Sequence, residues 1–124
     1  MGAIETKYNG LPFRSRLEAK WAVFLDAMGI DYDYEREGFT LGGLWYLPDF
    51  WLPLPKLHAH FDGAGYWLEI KPRALTSREE LQIQRLVRHT GHHAYAICGR
   101  VGVGEYVVSK WVLERETNEV RAEY

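Results

Sequence analysis

Hydrophobic positions along the chain follow two periods. Between Ser15 and Met28, the residues Leu17, Trp21, Phe24, Leu25 and Met28 share one stripe at about 100° per residue, which predicts a helix with that stripe buried. Ser15 and Glu18 have capping-box spacing at its start, and Gly29 occupies the place of a C-terminal stop. From Ile30 to Glu37, Tyr32 and Tyr34 alternate with Asp31, Asp33 and Glu35, the pattern of a strand with one wet face. Gly38, Gly42 and Gly43 mark a turn, and Leu44–Leu52 is apolar enough for a second strand. Pro48 inside that run removes a ladder hydrogen bond, so an edge, a bulge or a strand end is expected there.

Pro53, Pro55, Gly63 and Gly65 mark a longer connection. Tyr66–Lys71 then reads as a third strand ended by Pro72. A second helix is expected over Ser77–Thr90, with Leu81, Ile83, Leu86 and Val87 as its apolar positions and Gly91 as its stop. His93–Cys98 and Glu105–Leu113 read as further strands, and the acidic tail gives no decisive pattern. The order is helix, three strands, helix, strand and an extension: an α/β layer with a mixed sheet flanked by helices. At 124 residues, one domain spanning 1–124 is expected.

Composition narrows the picture. A hydrophobic fraction of 47% is that of a globular chain, and no apolar run approaches the roughly 20 residues needed to span a bilayer, so no membrane partner is expected. Met1 to Gly10 is polar where a signal peptide carries its apolar stretch. Cys98 is the only cysteine, which excludes an intrachain disulfide and a thiolate zinc cage and suits a reducing, cytoplasmic setting. The net charge of −2 argues mildly against nucleic acid. Charge is nonetheless segregated. Lys71, Arg73, Arg78, Arg85, Arg88 and Arg100 face only Glu79 and Glu80 in their stretch, and Arg14, Arg16 and Lys20 form a second basic group. A basic face on an acidic molecule and a solvated surface of mixed charge are both compatible with this.

Candidate chemistry centres on Asp49, Glu69 and Lys71. Side chains alternate along a strand, so Glu69 and Lys71 project from one face and Leu68 and Ile70 from the other. Carboxylates and an ammonium on otherwise apolar strands are costly to bury without partners. Two acids on neighbouring strands repel unless a cation lies between them, and hard oxygen ligands suit Mg²⁺ or Mn²⁺. The alternative is a strand-to-strand ion pair of Lys71 with one acid, the other being solvated. Glu18 is open in the same way. It completes a capping box, yet it falls about 20° from Leu25 on the wheel and so borders the buried stripe.

Pro48-Asp49 followed by Glu69-Ile70-Lys71, within this order of elements, resembles the PD-(D/E)XK nuclease superfamily over roughly Phe13 to Gly99. The stretch from Phe13 to Trp21 is similar to the opening helix of its small phage-type and transposon-type members, and Tyr46–Leu52 to their metal-binding strand. The resemblance implies a restriction-endonuclease-like αβββαβ core. It implies Asp49 and Glu69 as ligands of Mg²⁺ or Mn²⁺, with the backbone carbonyl of Ile70. Lys71 would orient or deprotonate the attacking water, and Glu18 would assist the metal or its water from the helix. Arg14, Arg16 and Arg73 suit phosphate contacts, although Arg16 on the helix flank equally suits an exposed ion pair; Gln84 on the second helix is either a polar residue reaching the site or a surface glutamine. Archaeal-type Holliday junction resolvases are of similar size, but their glycine-serine-glycine segment is not evident here. Transposon end-cleaving nucleases share the Glu-x-Lys-Pro seen at Glu69 to Pro72 but usually carry a further DNA-binding domain.

Metal-dependent cleavage of DNA, structure-selective and resolvase-like in phage or mobile-element DNA processing, is therefore the leading expectation. A homodimer would set two sites on two strands. A non-catalytic nucleic-acid-binding module of the same fold and an end-dependent exonuclease are the competing readings. His58 with His60 and His92 with His93 read as surface or DNA-facing pairs, since no zinc-like spacing accompanies them. Trp45, Trp51 and Trp67 flank the acids, as core residues or, where exposed, as base-stacking ones.

Overall fold

The computed structural model describes residues 5–53, 64–99, 106–114, 117 and 119–123. Its chain path begins with a feature absent from the expectations above, a hairpin of β1 (Thr6–Tyr8) and β2 (Leu11–Phe13). Asn9 and Gly10 both adopt positive φ, at 51° and 79°, the backbone a two-residue turn needs between right-twisted strands. Phe13 at its end is fully buried, with its ring 4.3 Å from that of Tyr34. This anchor fixes where Arg14 and Ser15 emerge.

Helix α1 (Arg16–Ala27) follows, and Gly29 ends it as expected. The amides of Gly29 and Ile30 return to the carbonyls of Asp26 and Leu25. Its buried face differs from the predicted stripe. Glu18, Ala19, Ala22 and Leu25 face inward, whereas Phe24 and Met28 are exposed. The two alanines let the helix backbone approach the sheet closely, Leu17 and Trp21 pack at its flank, and Phe24 and Met28 are left outside.

Strand β3 (Asp33–Tyr34) is much shorter than the predicted Ile30–Glu37, because Glu35 turns into the left-handed region at φ 49°. The expected strand Leu44–Leu52 is in fact two strands in two sheets. β4 (Phe39–Leu41) and β5 (Leu44–Tyr46) form a separate ribbon joined by Gly42 and Gly43, both at positive φ, while β6 (Phe50–Pro53) belongs to the main sheet. The break falls at Leu47-Pro48-Asp49, where the proline has no N–H to contribute.

β7 (Gly65–Lys71), helix α2 (Ser77–Thr90), β8 (Ala94–Gly99), β9 (Tyr106–Glu114) and β10 (Glu119–Glu123) complete the described chain, and the tail is thus a strand. The main sheet has six strands in the order β10-β9-β8-β7-β6-β3, antiparallel except for the parallel pair β7 and β8. That parallel step requires a crossover, which α2 provides. The fold is a mixed α/β layer with a mixed sheet and two helices.

The helices cover opposite faces. Ile83, Leu86 and Val87 of α2 pack on Trp51, Trp67, Ala94, Ala96 and Trp111. Ala19, Ala22 and Leu25 of α1 pack on Phe13, Phe50, Leu68 and Ile70. Leu81, grouped with the apolar face of α2 in the sequence, is exposed. Among the described residues, no helix is long and apolar enough to cross a membrane.

Candidate active site

At one end of β6 and β7 the apolar packing gives way to buried charge. Asp49 and Glu69 are 8% and 2% exposed, and β6 and β7 run antiparallel with Phe50 opposite Leu68, which sets the two acids side by side. Backbone hydrogen bonds interlock them. The Asp49 N–H donates to Glu69 Oε1 at 3.0 Å, and the Ile70 N–H donates to Asp49 Oδ2 at 2.8 Å. The Asp49 carbonyl in turn accepts from the Glu35 N–H at 2.9 Å. Each carboxylate thus holds the neighbouring strand's backbone with one oxygen and keeps the other for different work.

Glu18 approaches from the first turn of α1 and is 8% exposed. Ser15 Oγ accepts from the Glu18 N–H at 3.1 Å and donates to Glu18 Oε2 at 2.6 Å, and the Tyr34 hydroxyl donates to Glu18 Oε1 at 3.1 Å. Ser15 therefore caps the helix, but the Glu18 carboxylate is taken up by the Ser15 and Tyr34 hydroxyls. The reciprocal capping box belongs instead to α2, between Thr76 and Glu79.

Lys71 Nζ stands 3.8 Å from Glu69 Oε2 and 3.7 Å from Glu79 Oε2. Glu79 is a site residue that the sequence reading passed over, although Thr76-x-x-Glu79 has the capping-box spacing that would have placed it at a helix start. Tyr46 is another. Its hydroxyl is buried beside Glu69 without a well-directed hydrogen bond to any described group.

Electrostatics follow from this burial. Desolvation, then the charges of Glu69 and Glu18, push the Asp49 carboxyl well above the usual range. Desolvation also raises Glu69 against the opposing pull of Lys71 and its hydrogen bonds. Burial lowers Lys71, but Glu69, Asp49 and Glu79 outweigh it and hold the ammonium above its ordinary value. Burial would raise Glu79, yet Arg73, the Thr76 N–H and Lys71 together bring it down to about 2. Burial and the nearby carboxylates keep the Tyr46 phenol protonated well past its normal titration.

Asp49, Ile70 and Lys71 open onto a cleft of about 550 Å³, also lined by Arg14, Arg16, Glu18 and Arg73. Every predicted site residue except Glu69 and Gln84 reaches this cleft. Glu69 lies behind it, and Gln84 is half-buried on α2 and does not line it. α2 meets the site through Glu79, in its first turn, whereas Gln84 lies well along the helix. The arginines differ in their commitments. Arg14 Nε donates to Glu35 Oε2 at 2.9 Å, and Arg73 Nη1 donates to Glu79 Oε1 at 2.6 Å. Arg16 is exposed and makes no ion pair among the described residues.

The flanking aromatic and histidine residues divide. Trp51 and Trp67 belong to the core, whereas Trp45 on the ribbon is 69% exposed. His92 is half-buried with its ring 4.9 Å from that of Trp51, so it packs instead of facing solvent. His58 and His60 lie outside the described residues.

The donor set suits a hard divalent cation. Asp49 and Glu69 offer carboxylate oxygens that burial, more than their neighbours' charge, pushes up, and Ile70 adds a backbone carbonyl at the cleft wall. Among the described residues, no three His, Cys, Asp or Glu side chains converge closely enough to enclose a metal alone. A cation here would keep several waters, as Mg²⁺ commonly does.

No protein-family model, curated protein or solved structure matches the chain.

Proposed function

We propose that the protein hydrolyses phosphodiester bonds in DNA with Mg²⁺ or Mn²⁺, as a small endonuclease of the PD-(D/E)XK type that selects DNA by shape. The observation that carries this is the interlocked pair Asp49 and Glu69, buried with Lys71 at the wall of an arginine-rimmed cleft. Buried, incompletely compensated carboxylates are hard to explain as a stabilising device, because a buried ion costs several kcal/mol. The parallel β7–β8 step across α2, with α1 ahead of the antiparallel β3, β6 and β7, also supports this reading.

In this reading, Asp49 and Glu69 would hold the cation together with the Ile70 carbonyl, and Glu18 would assist from α1. A cation held there would supply an acidified water and charge stabilisation at the phosphate. Lys71 directs its ammonium at the attacked phosphate and the incoming water. Arg16, which is exposed and makes no ion pair among the described residues, meets the backbone first. Arg14 and Arg73 do so on exchanging Glu35 and Glu79 for phosphate oxygens. Gln84 does not line the cleft.

The test is cleavage of labelled linear duplex, single strand, flap and four-way junction in Mg²⁺, Mn²⁺ or EDTA. Metal-dependent cutting that vanishes in Asp49→Asn is expected. A well-folded wild type that binds DNA but cuts none of these substrates would favour the non-catalytic module. Cutting of linear but not circular DNA would identify an exonuclease.

A further inference from the structure

We propose that Glu79 is the positioning residue of Lys71, the fixed anion that keeps its ammonium at the cleft once Glu69 is engaged. The proposal rests on the nuclease reading above and extends it to a residue outside the acidic pair.

The geometry is unusual for a simple ion pair. Lys71 Nζ lies nearly midway between two carboxylates, 3.8 Å from Glu69 Oε2 and 3.7 Å from Glu79 Oε2. Both distances exceed the roughly 3.2 Å limit of a good N–H···O bond, so the ammonium is suspended between the acids and committed to neither.

The two acids differ in how they are held. Glu69 is tied to the Asp49 N–H and offers Oε2 to the site. Were Glu69 to hold a cation, its pull on the ammonium would weaken. Glu79 is tied elsewhere: its Oε1 accepts from the Thr76 N–H at 2.8 Å and from Arg73 Nη1 at 2.6 Å, and its own N–H donates to Thr76 Oγ1 at 3.2 Å. The backbone N–H of Thr76 therefore ties this carboxylate to the start of α2, and that bond does not depend on what Glu69 binds. Lys71 is a flexible stem whose side chain is 29% exposed, and without a second anion it is free to swing into the solvent.

The helix cap does not need the charge. A capping box is served by glutamine as well as by glutamate, since only a hydrogen-bond acceptor is required. Glu79→Gln therefore separates the anion from the cap, and Thr76→Ala weakens the cap while leaving the anion.

The experiment measures steady-state cleavage of labelled DNA in Mg²⁺ for wild type, Glu79→Gln, Glu79→Asp and Thr76→Ala, together with the Lys71 ¹⁵Nζ–H NMR signal, which persists only for a held ammonium. In Glu79→Gln, kcat is expected to fall roughly tenfold to a hundredfold, the scale of a misplacement near 1 Å, with KM for DNA little changed and the signal lost. Glu79→Asp should recover part of both. Thr76→Ala should lower the melting temperature and leave kcat and the signal as they are. Full kcat with an intact signal in Glu79→Gln would overturn the proposal, as would a Thr76→Ala variant equally impaired in kcat. The NMR arm is independent of cleavage. If wild type cuts no DNA, the nuclease reading falls, and the fate of the signal in Glu79→Gln still decides what holds Lys71.

Discussion

Trp51 and Trp67 sit one beside the other on β6 and β7, and two residues away Asp49, just ahead of β6, lies beside Glu69 of β7. Both pairs are almost completely buried. The tryptophan pair, with ring centroids 4.6 Å apart, is backed by α2 and contributes the large apolar areas that hold the sheet to the helix. The acidic pair contributes repulsion and desolvation, offset by backbone amides and one lysine. Neighbouring halves of one ladder thus have opposite effects on stability. The lesson is that burial stabilises the aromatic half and costs the acidic half, so the acids call for a reason other than stability.

The sharpest way to test the contrast is at the acids. Asp49→Asn keeps an acceptor for the Ile70 N–H but removes the charge. Cleavage is expected to fall by at least about a hundredfold, as for loss of a main electrostatic element, while thermal stability is unchanged or raised. An Asp49→Asn protein that melts far below wild type would mean that the acid pair is structural after all.

The aromatic half should respond in the reverse sense. Trp67→Ala removes a packed ring and the Nε1–H bond to Thr90 Oγ1, and should cost about 3–5 kcal/mol in urea unfolding. A loss below about 1 kcal/mol would show that the tryptophan pair is not what holds α2 to the sheet.

A subtler difference lies in pH. Asp49 and Glu69 titrate above their ordinary values in the folded protein, so the native state binds protons that the unfolded chain has released. Their contribution is fully present below the unfolded pKa values of 3.8 and 4.5, and is lost as pH rises through the raised ones. Glu79, lowered from 4.5 to about 2, acts oppositely: its stabilisation is present above 4.5 and lost as pH falls toward 2. Urea midpoints taken across pH should therefore flatten on the alkaline side in Asp49→Asn and on the acid side in Glu79→Gln.

The smallest effect is expected far from both pairs. Phe24 is 49% exposed and touches Trp21 edge-on at 5.5 Å, so Phe24→Ser should cost less than about 1 kcal/mol. A larger loss in a melting experiment would place Phe24 in an interface.

How far these features could be read in advance depended on whether they were local. Helix α2 was legible because its spacing, its ends and its burial agree, with Ile83, Leu86 and Val87 all inward. Strand β7 was legible because apolar residues run up to Lys71 and Pro72 stops them. At α1 the periodicity found the helix but not its inward face, since Ala19 and Ala22 are chosen by how closely the sheet approaches. The Asn9-Gly10 hairpin carried a strong local signal that the polar start of the chain obscured. Pro48 announced a break, but nothing local told that β5 and β6 would part into separate sheets. Asp49, Glu69 and Lys71 were legible as charges out of place among apolar neighbours. Tyr34, Tyr46 and Glu79 were not, because each is ordinary in its own segment and acquires its place only through contacts across the fold.

The interlocking of Asp49 with Ile70 and of Glu69 with Asp49 makes the acids rungs of the ladder as well as candidate ligands. Sliding β6 past β7 by a single residue would turn Asp49 to the opposite face and, in the same motion, pull Trp51 out from under α2. The chemistry is therefore locked to the alignment of two strands, and the largest rings in the molecule guard that alignment. A preparation that has lost the one should betray it through solvent-exposed tryptophan fluorescence, long before it unfolds.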